Sequence, residues 1–305
     1  MTRAGFAAII GAPNAGKSTL VNRLVGSKVT IVTQKVQTTR FPIRGVAILG
    51  DSQIVLVDTP GIFKPKRRLD RAMVRSAEDQ ADGADVVVHI IDAHAEESPK
   101  PGDRKSAEDA AMITESYKAA GKTAILALNK VDLVKRENLL ALTQRLFDTG
   151  VYSEVFMLSA HTGSGVDALK SRLAELMPEG EFLFPADQSA DLPVRLLAAE
   201  ITREKLYLRV HDELPYSATV ETTAFEDKRD GSARIEQTIF VERESQRPII
   251  LGKNGQTVKW IGEAARKDLG EILDRPVHLF LTVKVRETWQ EERGFYSGVG
   301  LDYDA

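Results

Sequence analysis

GAPNAGKS, residues 11–18, decides how the first half of this chain folds. It follows the apolar run FAAII (6–10) and opens KSTLVNRLVG (17–26), where apolar residues recur at helical spacing. The pattern G-x-x-x-x-G-K-[ST] between a strand and a helix is a phosphate-binding loop. Its glycines let backbone N–H groups turn inward around phosphate oxygens, and the helix N-terminus adds the positive end of its dipole. Gly11, Ala12, Pro13, Asn14, Ala15, Gly16, Lys17, Ser18 and Thr19 are the candidate nucleotide contacts. Lys17 supplies a charge for the β- and γ-phosphates, and Ser18 a hydroxyl for Mg²⁺. A chance glycine turn beside a surface lysine would lack the flanking strand and helix.

Further apolar runs follow at QIVLVD (53–58), DVVVHIID (85–92), TAILALN (123–129) and EVFMLSA (154–160). Helical stretches at 103–120 and 137–149 separate the later ones, and a helix at 165–177 closes the series. Continuous apolar strands alternating with helices predict an α/β P-loop domain over residues 1–178, with a mostly parallel sheet and helices on both faces. The segment 177–193, MPEGEFLFPADQSADLP, holds three prolines and several acids. It predicts a linker at 179–192. Beyond it, RLLAAEITREKLYLRV is helical, and SATVETTAF and ARIEQTIFVERE alternate as strands around the turn-rich EDKRDGS. RPIILGKNGQTVKWIGEAARKDLGEIL and the strand VHLFLTVKV complete an α+β domain at 193–288, and a tail, 289–305, remains unplaced.

The composition bounds the function. The chain has 305 residues, 43% of them hydrophobic and 28% charged, which suits about two globular domains. It contains no cysteine, which excludes a disulfide framework and thiolate metal sites and fits a cytoplasmic setting. The N-terminal MTRAGFAAIIG reads as a buried strand, too short for a signal or membrane segment. His89, His94, His161, His211 and His278 show no metal spacing. A net charge of −3 argues against a basic coat for DNA and leaves only a local patch for other nucleic acid.

Three later stretches complete a nucleotide site. Asp58 ends its strand as a Walker-B acid would, predicting a hold on Mg²⁺. DTPG (58–61) adds Thr59, Pro60 and Gly61, with the Gly61 N–H directed at the γ-phosphate, and Ile62 follows. NKVD (129–132) selects the base. A carboxylate at Asp132 accepts from guanine N1–H and the 2-amino group together, whereas adenine would leave it unpaired. Asn129 contacts the other edge of the base or braces the phosphate loop. The Lys130 stem covers the base plane, Val131 lies between, and Ser159–Ala160 offers a backbone N–H to guanine O6.

GAPNAGKS, QTTR, DTPG, NKVD and SA, in this order, resemble the signature of translation-factor-type GTPases. ELPYSATVE (213–221) and GKNGQTVKWIGEAARKDL (252–269) resemble the RNA-binding half of the Era family, bacterial ribosome-assembly GTPases. The resemblance covers nearly the whole chain. It implies a GTP/GDP-switched protein with slow intrinsic GTP hydrolysis. It also implies binding to the 3′ end of small-subunit ribosomal RNA during 30S maturation, and a loose association with the inner membrane. The family pattern makes Thr39, rather than Thr38, the loop hydroxyl that joins Mg²⁺ and senses the γ-phosphate. Order in that loop and in DTPGIF would then depend on the third phosphate. Ras-like GTPases place a water-orienting glutamine where this chain has Ile62, which neither donates nor accepts. Asn14 in PNAGKS implies a K⁺ ion beside the phosphates, stabilising transition-state charge. A plainer reading is that Asn14 tolerates an unusual backbone dihedral. Lys17, Thr39, Gly61 and Asn14 are therefore the candidate catalytic groups.

GKNG (252–255) opens a helix whose Val258, Ile261, Ala265, Leu269 and Ile272 share one face. A G-x-x-G loop at a helix start is how a KH domain clamps about four nucleotides. Gly252, Lys253, Asn254, Gly255 and Lys259 are the candidate RNA contacts, and Trp260 is expected in the core. Residues 193–286 carry sixteen Lys and Arg against fifteen Asp and Glu, so binding must rest on a local groove with moderate salt dependence. Two other functions compete. A constitutive RNA-binding module with a structural nucleotide site would bind RNA equally with GTP or GDP. A small-molecule kinase would need a basic lid, which the sequence lacks.

Overall fold

The computed structural model describes residues 1–211 and 214–305. Glu213, which begins the ELPYSATVE stretch, lies outside the described residues. The chain forms two compact units. One comprises residues 1–30, 39–191 and 296–305, the other 31–38 and 192–295.

The first unit runs β1 (Arg3–Ile10), α1 (Lys17–Val25), β2 (Ile43–Leu49), β3 (Ser52–Asp58), α2 (Arg68–Asp82), β4 (Val86–Asp92), α3 (Ala93–Glu97), α4 (Pro101–Ala119), β5 (Ala124–Asn129), α5 (Arg136–Phe147), β6 (Tyr152–Met157), α6 (Val166–Leu176) and β7 (Ala190–Asp191). Its sheet has the order β6-β5-β4-β1-β3-β2-β7. The pairs β1–β3, β1–β4, β4–β5 and β5–β6 are parallel, whereas β2 and β7 extend the edge antiparallel. Alternation along β1 explains the apolar run. Ala7 and Ile9 face a core built with Leu20 and Leu24 of α1 and Leu169 and Leu173 of α6. Ala8 and Ile10 face the other side, with Ala77 and Ala81 of α2 and Ile113 of α4. Both faces are covered, as the continuous apolar strands require. Because β1 pairs with β3 on one side and β4 on the other, chain order reverses around its C-terminal end. That crevice is where open α/β sheets bind ligands.

Two antiparallel strands were not foreseen. β2 follows the loop that carries Thr39 and pairs with β3. The stretch read as a linker runs along the same unit. Gln53 Oε1 accepts from the Leu183 and Phe184 amides, its amide donates to the Phe184 carbonyl, and β7 pairs with β2.

The second unit contains α7 (Val194–Arg209), β8 (Ala218–Asp227), β9 (Ala233–Val241), α8 (Arg247–Leu251), α9 (Gln256–Leu273) and β10 (Val277–Val285), followed by α10 (Arg293–Gly298). Its sheet has the order β10-β9-β8, with β10 parallel and β8 antiparallel to β9. The α9 stripe is buried at Ile261, Ala265 and Leu269 against α7 and the sheet. Trp260 corrects the expectation of a core residue. It lies one position off that stripe and is 37% exposed, with the Arg209 guanidinium 5.4 Å from its ring centroid. Trp289 is the buried tryptophan, its indole N–H donating to the Ser217 carbonyl. The tail divides between the two units after Phe295. In the first unit Tyr296 is fully buried, packed edge-on against Tyr303, whose ring lies 4.3 Å from the Arg68 guanidinium.

Candidate functional site

The phosphate loop joins β1 to α1 with backbone conformations chosen residue by residue. Gly16, at φ 105°, has no room for a side chain, because a Cβ there would meet Asn129 Nδ2 at 2.2 Å. Asn14 takes φ 63°, a left-handed value that asparagine adopts more readily than most residues. Lys17 is buried and its ammonium donates to the carbonyls of Gly11 (3.1 Å) and Ala12 (2.8 Å). Burial pushes its pKa down to about 8, partly opposed by the charge of Asp58.

Asp58 is the centre of a hydroxyl cluster. Its Oδ2 accepts from Thr30 (2.7 Å), Ser18 (2.8 Å) and Thr39 (3.1 Å), and Ser18 Oγ and Thr39 Oγ1 lie 3.0 Å apart. Its Oδ1 is buried with no hydrogen-bond partner among the described residues. Burial raises the Asp58 pKa against the opposing pull of Thr30, Ser18, Lys17 and Thr39. A buried carboxylate with one spare oxygen and three hydroxyls fits a hard divalent cation that takes oxygen ligands. Burial sets the sign of both shifts, and a bound anion would raise Lys17 again while a bound cation would lower Asp58. Thr38 does not join the cluster, because its hydroxyl bonds to Thr33 Oγ1 and the Lys35 carbonyl.

The turn after β3 is held to the phosphate loop. Thr59 Oγ1 donates to the Ile9 carbonyl, the Ile62 amide donates to the Gly11 carbonyl, and a Cβ on Gly61 would meet Pro13. The Thr59 hydroxyl thus ties the turn to β1. Pro60 is buried, and so is Ile62, whose side chain packs with Ile10, Ala77 and Ile113. The apolar residue stands there because its position points beneath α2, into the sheet's second core.

At the other end of the crevice Asn129 braces two loops. Its amide donates to the Ala15 carbonyl (2.8 Å) and its Oδ1 accepts from the Ala160 amide (2.9 Å). Of the two roles open to it, bracing is the one the geometry displays. Lys130, at φ 61°, donates to the Asn14 carbonyl (3.0 Å) and to Asp92 Oδ2 (2.5 Å). Val131 and Asp132 begin a short 3-10 turn, and the Asp132 carboxylate is exposed with no partner among the described residues. Ser159 and Ala160 are buried, with Ser159 Oγ accepting from the Thr162 amide.

In the second unit the turn GKNG separates α8 from α9. Gly252 has φ 73° and ψ 171°, and Asn254 and Gly255 are left-handed at φ 55° and 74°. Lys253, Asn254 and Lys259 are exposed. Around Gly255 a Cβ would meet nothing within 4 Å, so a ligand backbone can approach the loop closely.

Comparison with known proteins decides the family. A 50S ribosome-binding GTPase model matches residues 6–130, and a KH-domain model matches residues 213–290. The chain is 67% identical to the GTPase Era of Caulobacter vibrioides over 99% of its own length and 98% of that protein's. The chain belongs to the Era family of GTPases. A crystal structure of Era with MgGDPNP and nucleotides 1506–1542 of 16S ribosomal RNA superposes with a TM-score of 0.87 at 37% identity. It covers 98% of this chain and 99% of that one. A variant of Aquifex aeolicus Era bound to GDP.AlF4- gives 0.86 at 38% identity over the same shares.

In this Era-family chain several supporting residues escaped sequence reasoning. Asn22 donates to the Thr30 carbonyl and accepts from the Val29 and Thr30 amides, which places the Thr30 hydroxyl. Arg23 donates to the carbonyls of Ala160 and His161, bracing the base-side loop. Asp92 caps α3 and anchors Lys130. An acid at a strand end hinted at Asp92. Asn22 and Arg23 carried no signal beyond being polar residues in an amphipathic helix.

Proposed function

We infer that this Era-family GTPase binds guanine nucleotide and hydrolyses GTP in the first unit. It binds the 3′ end of small-subunit ribosomal RNA through the KH domain and acts as a nucleotide-switched factor in 30S assembly. The observation that carries this reading is the joint presence in one chain of the Asp58 hydroxyl cluster and a GxxG turn opening α9. The relative solved with both MgGDPNP and ribosomal RNA matches along nearly all of it.

Ser18, Thr39 and Asp58 would hold Mg²⁺, which when bound neutralises phosphate charge. The chain's own groups do the rest. Lys17 exchanges the Gly11 and Ala12 carbonyls for phosphate oxygens, and the Gly61 amide meets the γ-phosphate. Asp132 presents a free acceptor to the guanine edge while Asn129 and Lys130 keep their loops in place. With Ile62 buried, no side chain at that position orients water, so intrinsic turnover is slow. Asn14 is the residue proposed to admit K⁺. Its left-handed φ is a competing reason for asparagine, so turnover that is equal in K⁺ and Na⁺ would remove the ion from the scheme.

Thermal protection tests the base assignment. GDP and GTP should raise the melting temperature, and ATP at equal concentration should not. An RNA oligonucleotide of the 16S 3′ end should bind differently with GDPNP and with GDP. Equal affinity would turn the reading into a constitutive RNA-binding module. No described helix is long and apolar enough to cross a membrane. A loose inner-membrane association would have to use the protein surface, and flotation with anionic vesicles tests it.

A further inference from the structure

The turn that follows β3 runs into a strongly basic stretch of the first unit, KPKRRLDRAMVR (64–75). It holds six Lys and Arg against one acid, in a chain whose net charge is −3. The acid is Asp70, 8% exposed, and its Oδ2 accepts from the amides of Lys66 (3.1 Å) and Arg67 (3.0 Å) at the start of α2. Its charge is thus spent on the backbone. Two of the cations are also engaged. Arg68 donates to the Tyr303 carbonyl at 3.3 Å, and Arg75 pairs with Asp79 at 3.1 Å. Lys64, Lys66, Arg67 and Arg71 are exposed, and none of them has an acidic partner among the described residues.

These four cations sit on an ordered scaffold. The Arg71 amide donates to the Arg67 carbonyl at 3.1 Å, which sets the two arginines one helical turn apart. Pro65 stiffens the lead-in between the two lysines. The large apolar side chains alongside, Phe63, Leu69 and Met73, are buried. The surface therefore offers charge without an aromatic or large apolar group. Single-stranded nucleic acid is held in good part by bases stacked on aromatic rings, and a bilayer surface by inserted apolar side chains. Duplex RNA is recognised largely through its backbone, which cations alone can meet. The second unit adds little long-range attraction of its own, because residues 193–286 carry sixteen Lys and Arg against fifteen Asp and Glu.

We propose that residues 64–71 form a further RNA contact, in which Lys64, Lys66, Arg67 and Arg71 take the phosphate backbone of a duplex RNA without reading its sequence. The choice of RNA as the polyanion rests on the RNA-binding function inferred above. The patch itself stands on charge and exposure within the first unit.

The test uses the full chain and a blunt RNA duplex of unrelated sequence, with affinity measured from low to moderate salt. Each phosphate neutralised contributes about 0.7–0.9 to the slope of log affinity against log salt. The variant Lys64→Gln/Lys66→Gln/Arg67→Gln/Arg71→Gln should therefore flatten that slope by about 3 and weaken binding at low salt by at least about tenfold. The loss should be the same for duplexes of different sequence. GDP should raise the melting temperature of the variant as it does that of the wild type, which reports an intact first unit. The single-stranded 16S 3′-end oligonucleotide should bind both proteins equally well. If the fourfold variant does not fold, Lys64→Gln/Lys66→Gln, which lies ahead of α2, should still flatten the slope by about 1.5. A folded variant of either kind with the wild-type slope overturns the proposal, as does a wild-type protein that does not bind the duplex. An equal change of slope for the single-stranded oligonucleotide overturns the assignment to duplex RNA. Binding to anionic vesicles that the variant loses, with duplex binding unchanged, gives the segment to lipid headgroups and overturns the RNA contact. A wild type that binds the duplex with the expected slope change but ignores the 3′-end oligonucleotide overturns the KH reading and supports the patch.

Discussion

At the scale of single residues, burial sets the chemistry. His89 on β4 shares a buried chain with Tyr152 and Thr114. The Thr114 proton goes to the Ala110 carbonyl, so Tyr152 donates to Thr114 and His89 Nδ1–H donates to Tyr152. Nε2 is then a bare buried nitrogen without a partner among the described residues. Burial, aided by the Lys17 charge, pushes the His89 pKa down to about 3. The unfolded chain takes up this proton near pH 6.5 and the folded protein does not, so stability should fall as pH drops from about 6.5 towards 3. The loss by pH 5 should be roughly 2 kcal/mol. Denaturant melts at pH 7 and 5 should show that slope in the wild type and a flatter one in His89→Gln, which keeps a partner for Tyr152. Ile62 gives a second test. Ile62→Gln restores the Ras-like residue type but buries an amide beneath α2, so stability should drop by about 2 kcal/mol with no gain in turnover. Faster hydrolysis would mean that the side chain swings into the site.

Among elements, the phosphate loop, NKVD and GKNG were legible because each needs particular residue types at fixed spacing in a local turn. Gly252 shows why. Its φ 73° and ψ 171° lie in a region nearly reserved for glycine, and a Cβ would sit 2.3 Å from Thr257 Oγ1. Gly252→Ala should cost about 1–3 kcal/mol in denaturant melts and disturb the start of α9. Gly255 is left-handed in open space, so Gly255→Asn should keep stability within about 1 kcal/mol yet weaken RNA binding, because its side chain fills the approach. Equal stability losses in the two variants would contradict this contrast. The antiparallel strands β2 and β7 were not legible, since an antiparallel extension of the sheet depends on the neighbour it pairs with. Trp260 was misjudged for a related reason: a residue beside a buried helical stripe can belong to either face, and packing chooses.

For the whole molecule, the least legible segments were those that join a unit distant in sequence. Residues 296–305 pack with the first unit, where Tyr296 is buried and Arg68 donates to the Tyr303 carbonyl. Truncation after residue 295 should therefore lower the melting transition that GDP protects, by roughly 5 °C, taking about 2 kcal/mol for the lost aromatic burial. Calorimetry with and without GDP would show it, and a shift confined to the other transition would refute it. Sequence alone determined the parallel α/β core, the guanine-nucleotide motifs and the KH element order, because periodicity, glycine turns and charge spacing are local properties. Tertiary structure alone decided that Asn129 braces two loops, that Ile62 is buried, that Thr30 joins Asp58, and that residues 31–38 and the tail belong where they do. Those outcomes depend on contacts between positions far apart in the chain, where desolvation and hydrogen-bond satisfaction select a partner that no local pattern encodes.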